Sequence, residues 1–141
     1  MKSPIFEEVI DHCRKIATAS QEENEQAREI AYQNLIKLCA KHENTPRDHP
    51  FQWEALAEFT LDAEQALDIY EKGLAVAQKM SLIDAQASIY LAMINRQIEI
   101  EQLEQANNHL DSVLALQAQI ENSNIVEEIE VLSEKLKSLS N

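Results

Sequence analysis

Four histidines, two cysteines and 25 acidic residues are the side chains through which this chain could do chemistry. Cys39 and His42 lie three apart, a helical spacing that could supply half of a metal site. No second Cys-x2-Cys or His-x3-His pair completes it. His42, Glu43, Asp48 and His49 mix ligand types around a proline-bearing stretch. Helix capping and dipole compensation, with His42 near a helix C-terminus, explain that cluster more simply than a metal does. His12 and Cys13 are adjacent, and adjacent helical residues point about 100° apart, so they cannot form a nucleophile–base pair. Carboxylates are numerous enough for general acid–base work, but nothing in the sequence marks two of them as buried. The Glu-x-x-His motif of helical di-iron sites is absent. The expectation is therefore a non-enzyme with no catalytic residue, no metal and no cofactor.

Composition sharpens this. The chain has 141 residues, one glycine and three prolines. Phosphate-binding loops, dinucleotide-binding turns and nucleophile elbows need several glycines, and tight hairpins need Asn-Gly or Asp-Gly pairs. Sheet-rich folds and the common nucleotide-binding enzymes are thus disfavoured. Net charge is −13, against sequence-independent nucleic-acid binding, which relies on Lys and Arg. No secretory apolar run follows Met1-Lys2-Ser3-Pro4, and no stretch reaches the roughly 18 apolar residues of a membrane span. A cytoplasmic location with reduced Cys13 and Cys39 is expected. A disulfide between them would require Cα atoms within about 7 Å.

The elements that must position these residues are helical, because apolar residues recur at spacings of three and four almost everywhere. The periodicity predicts helices over Pro4–Ala19, Gln21–His42, Pro50–Phe59, Asp62–Met80, Ile83–Glu101, Leu103–Glu121 and Asn124–Leu139. Ser3 is placed to cap the first, with Pro4 at its first position. Ser20/Glu23, Asp62/Gln65, Ser81/Asp84 and Asn124/Glu127 are spaced as capping boxes. Glu43–Pro50 is the clearest break. The fifth helix is apolar over much of its circumference and should be sandwiched between others. The fold class is all-α, an array of antiparallel helices. One helical domain is expected over 1–141: an N-terminal pair (1–49), two repeats (50–121) and a capping helix (122–141).

Ala66, Tyr70 and Gly73 recur with the same spacing as Ala106, Leu110 and Val113, 40 residues later. A period of that size built from helix pairs marks a helical solenoid. The run Ala66–Gly73, A-L-D-I-Y-E-K-G, with Trp53-Glu54-Ala55-Leu56-Ala57 before it and Tyr90-Leu91-Ala92-Met93 after it, resembles the tetratricopeptide-repeat family, in its long-repeat form. The resemblance covers Phe51–Ile120. The turn between the third and fourth helices is shortened, and Glu101 stands near the place of a turn glycine. Gly73 in mid-helix costs roughly 1 kcal/mol against alanine, so its presence suggests a close helix–helix approach.

The resemblance implies a non-catalytic protein-binding scaffold or adaptor whose concave face is lined by the first helix of each pair. Glu54 and Glu58 of the third helix, and Asn95 and Glu99 of the fifth, would line it. Asn95 fits the family's clamp for acidic peptide tails, but the Lys and Arg partners are missing. Charge points the same way. Residues 1–49 carry 9 acids and 7 bases, whereas residues 50–141 carry 16 acids and 5 bases. The expected partner is a basic or amphipathic protein segment, not nucleic acid or membrane. Alternatives are an acidic inhibitor of a basic protein, of immunity or antitoxin type, and a carboxylate/His metal-binding protein or enzyme. Ile125, Ile129, Leu132, Leu136 and Leu139 form a seam. It caps the array, makes a homodimer through 124–139, or docks a partner's helix.

Overall fold

The computed structural model describes residues 2–140, and in it the apolar periodicity becomes helix throughout. Seven α-helices follow one another: α1 (Phe6–Gln21), α2 (Glu25–His42), α3 (Pro50–Glu58), α4 (Ala63–Lys79), α5 (Ile83–Glu99), α6 (Leu103–Leu116) and α7 (Ser123–Leu139). Among the described residues there is no strand, and the fold is all-α. A 3-10 turn, Gln117–Gln119, ends α6 earlier than its apolar pattern suggests. No helix among the described residues is long and apolar enough to cross a membrane.

The helix ends are closed differently from the sequence expectation, because three of the helices close in left-handed turns before the next one starts. Glu23, Ser81 and Glu101 each adopt φ between 56° and 58°. Each lies just past a helix and completes the same pair of bonds. Asn24 N–H donates to Ala19 O at 2.9 Å, Leu82 N–H to Ala77 O at 2.9 Å, and Gln102 N–H to Gln97 O at 2.8 Å. This is the left-handed Schellman ending, normally a glycine position. Of the expected capping boxes only Asp62 accepts its bond, from Gln65 N–H at 2.9 Å. Ser20 falls inside α1, and Asn24 caps α2 instead, accepting from Ala27 N–H at 3.0 Å. Ser81 is taken by the turn, so Leu82 precedes α5 without a side-chain cap. Asn122, not Asn124, caps α7. Ser3 Oγ accepts from Ile5 N–H at 3.3 Å and donates to Gln52 Oε1 at 2.9 Å, so it ties the first turn to α3.

These three turns make a prediction. A non-glycine residue in the left-handed region carries a cost of roughly 1–2 kcal/mol, partly offset in glycine by its freer unfolded chain. Glu101→Gly should therefore stabilise by about 0.5–1 kcal/mol, read as a rise in the urea midpoint without change in slope.

Packing is pairwise and sequential. Each helix packs on the next, and each odd helix also touches the next odd one: α1 on α3, α3 on α5, α5 on α7. The odd helices therefore share one side of the array. As expected, α5 is sandwiched; it meets α3, α4, α6 and α7 and buries residues around most of its surface. The triplets Ala66/Tyr70/Gly73 and Ala106/Leu110/Val113 are all buried. A third triplet of the same spacing, Ala31/Leu35/Leu38 in α2, is buried too. The small residue of each lets its helix approach a neighbour. Gly73 is the extreme case: a Cβ there would meet Trp53 Cβ at 3.0 Å and Ile89 Cδ1 at 3.3 Å. Ile129, Leu132 and Leu136 of α7 are buried in one cluster with α5 and α6, with Ile125 partly buried against it, whereas Leu139 at the end of the seam is exposed.

Candidate functional site

On α3, Glu54 and Glu58 are one turn apart, and so are Asn95 and Glu99 on α5. Each pair therefore lies along one helix face. α3 touches α5, so the two pairs lie on neighbouring helices. Glu54 is half-buried and accepts a short hydrogen bond from Ser88 Oγ of α5, which fixes the register between the helices. Glu58 and Glu99 are exposed. Asn95 is half-buried, and its Nδ2 donates to Leu91 O at 3.2 Å along its own helix.

One cation sits among these carboxylates, and it faces inward. Arg96 Nη2 lies 2.7 Å from Thr60 O, 3.2 Å from Ala57 O and 3.3 Å from Glu58 O, donating into the end of α3. Its Nη1 stands 3.7 Å from Glu99, an exposed contact of little energetic weight. Arg28 of α2 donates to Phe59 O at 2.7 Å. Thr60 Oγ1 donates to Leu56 O at 2.8 Å and also bonds Tyr32 Oη at 2.7 Å. The four-residue connection from α3 to α4 has no left-handed residue and makes no Schellman bond, and side chains from α2 and α5 satisfy the orphan carbonyls of the helix terminus instead. Sequence reasoning missed this role. A signal existed: Arg96 is the sole Lys or Arg between Lys79 and Lys135.

Burial, and then the nearby Glu58 charge, push the Glu54 carboxyl above its ordinary value of 4.5, with the Ser88 bond opposing. Burial likewise raises the Cys13 thiol, and the Glu58 charge adds to it. The Tyr70 hydroxyl is pushed up to about 12, chiefly by burial. For Glu54 the sign is that of a raised acid. Folding favours its protonated form, so its ionisation penalises the fold as pH rises through the folded-state value. Glu54→Gln keeps a partner for Ser88 and removes the charge. It should raise the thermal midpoint at pH 7–8 relative to wild type, with the gain vanishing below the ordinary glutamate value, as thermal melts across pH would show.

The candidate metal ligands are held by structural contacts. His49 caps α3, its Nδ1 accepting from Phe51 N–H at 3.1 Å. Asp48 accepts from Asn44 N–H at 2.9 Å and from Trp53 Nε1–H at 2.7 Å. Glu43 pairs with Lys72 at 3.3 Å, and His42 lies in the last turn of α2. Among the described residues no three His, Cys, Asp or Glu side chains converge so as to hold a metal ion. Cys13 and Cys39 are free thiols. Cys39 donates to Gln52 O at 3.4 Å, and burial pushes its thiol up to about 12, away from reactive thiolate. His12 Nδ1 is buried without a hydrogen-bond partner, so it does not pair with Cys13.

Comparison with protein-family models, curated proteins and solved structures returned no significant match to this chain.

Proposed function

We propose that the chain is a non-catalytic protein-binding scaffold of tetratricopeptide-like helix pairs. Its odd-helix side receives a basic or amphipathic segment of a protein partner. The observation that carries this is the arrangement of Glu54, Glu58, Asn95 and Glu99 on two touching helices, with Arg96 turned into the end of α3. Glu58 has no cation within ion-pairing distance among the described residues, so its charge is open to a partner. A field of one sign on such a face steers an oppositely charged segment and sets its register. An acidic inhibitor that masks the phosphate-binding surface of a basic protein is a narrower version of the same reading. The excess of 16 acids over 5 bases in residues 50–141 favours it.

Capture of partners from the source cell by wild type and by Glu58→Lys/Glu99→Lys tests the reading. Both substituted positions are exposed, so the fold should survive. The variant should lose the partner, and raising salt from 0.05 to 0.5 M should weaken wild-type capture by roughly tenfold or more. Capture that is equal for both proteins and indifferent to salt would place the binding elsewhere.

A further inference from the structure

The two ends of the array fit each other. At one end, α1 and α2 leave a shallow groove of about 440 Å³ floored by Ala19, Ala27 and Ala31. It lies on the flank away from α3. Arg28 and Tyr32 of α2 bond the α3 terminus, and Ile30, two residues from each, points the opposite way. Ile30 is 57% exposed. Arg14 and Lys15 flank the groove at one end and Glu22 at the other. Lys15 is paired with Asp11 at 3.1 Å, whereas Arg14 has no partner among the described residues.

At the other end stands α7. Its buried side, Ile129, Leu132 and Leu136, packs on α5 and α6. The opposite side carries Glu127, Val131 and Lys135 at successive turns, and Val131 is 64% exposed. Arg14 and Glu22 are eight residues apart, and so are Glu127 and Lys135. At 1.5 Å per residue both spans are about 12 Å. With α7 of one molecule laid along α1 of another, Glu127 meets Arg14, Lys135 meets Glu22, and Val131 enters the groove beside Ile30. We propose that the occupant of the α1–α2 groove is the outer face of α7 from a second copy of this chain, giving head-to-tail self-association. This uses the face of α7 opposite the seam, and it is independent of the acidic partner-binding side. The net charge of −13 opposes contact at low salt. At physiological salt, repulsion beyond about 8 Å is screened while the contacting pairs persist.

A head-to-tail contact has two different halves, and that makes it testable. Sedimentation velocity over a wide concentration range at 0.15 M salt should show wild type rising above the 16.1 kDa monomer. Ile30→Asp removes one half and Val131→Asp the other; both sites are exposed, and circular dichroism should show unchanged helix. Each variant alone should remain monomeric. Mixed, they should form a 1:1 complex of about 32 kDa, twice the 16.1 kDa chain, and nothing larger. Arg14→Glu should weaken association at least tenfold, and adding Glu127→Arg should restore it. A wild type that stays monomeric throughout overturns the proposal. So does a mixture that does not associate, or a variant that self-associates like wild type.

Discussion

Gly73→Leu is expected to lower stability by about 3 kcal/mol or more, and Gly73→Ala by about 1 kcal/mol, although both residues are better helix formers than glycine. The alanine case decides between two effects of known size. Helix propensity favours alanine by about 1 kcal/mol, and overpacking costs about 1–3 kcal/mol. The added Cβ would lie 3.0 Å from Trp53 Cβ. That atom is bonded to the α3 backbone and cannot swing aside. Ile89 Cδ1 at 3.3 Å is the far end of a flexible side chain and can yield. Trp53 is further fixed by its Nε1–H bond to Asp48 at 2.7 Å. The clash therefore has to move α4 away from α3, and the sign is unfavourable. Leucine adds atoms that no rotamer can place in the α3–α4–α5 junction. Urea titrations of the two variants check this; an alanine variant more stable than wild type would mean the junction is looser than described.

Arg96→Leu should cost about 2–4 kcal/mol, the second large effect. Three carbonyls at the end of α3 receive Arg96 Nη2, and hydrogen bonds from a charged donor contribute about 1.5–3 kcal/mol each when isolated. The total is held down because the three share one nitrogen and because water reaches the edge of the site. Arg96→Lys should recover less than half. A compact ammonium lacks the planar fork that donates into a helix terminus and toward Glu99 together. The loss should be local first: amide exchange in α3 and the connection to α4 should accelerate more than in α6 or α7. Uniform acceleration across all helices would show that α3 has no separate dependence on Arg96.

The helices and the triplet Ala66/Tyr70/Gly73 were legible because their cause is local periodicity, which needs no knowledge of neighbours. The same reading overlooked Ala31/Leu35/Leu38, since leucine at the third place hides the small-residue pattern that Gly73 displays. Helix ends were less legible. A Ser or Asn three residues before an acid reads as a cap. Whether it caps depends on where the previous helix closes, and Glu23, Ser81 and Glu101 close theirs in left-handed turns that their residue types do not advertise. Glu54, Glu58, Asn95 and Glu99 were grouped from repeat spacing, and the structure puts the two pairs on helices that touch, with Glu54 bonded across that contact to Ser88. The isolation of Arg96 among acids marked it, but its role was not read, because that role depends on a partner 36 residues away in sequence. Counting charges alone would have made it a clamp for acidic ligands.

The account turns on where a basic segment touches the chain. The direct measurement is an amide NMR titration of the full, 15N-labelled chain with a Lys-rich amphipathic helical peptide, alongside a Glu-rich peptide of equal length. The account predicts shifts concentrated around Glu54, Glu58, Asn95 and Glu99 with the basic peptide, reversed by salt and absent from Glu58→Lys/Glu99→Lys, and none with the acidic peptide. Shifts clustered instead on α6 or the loop 43–50, or an equal response to both peptides, would contradict it.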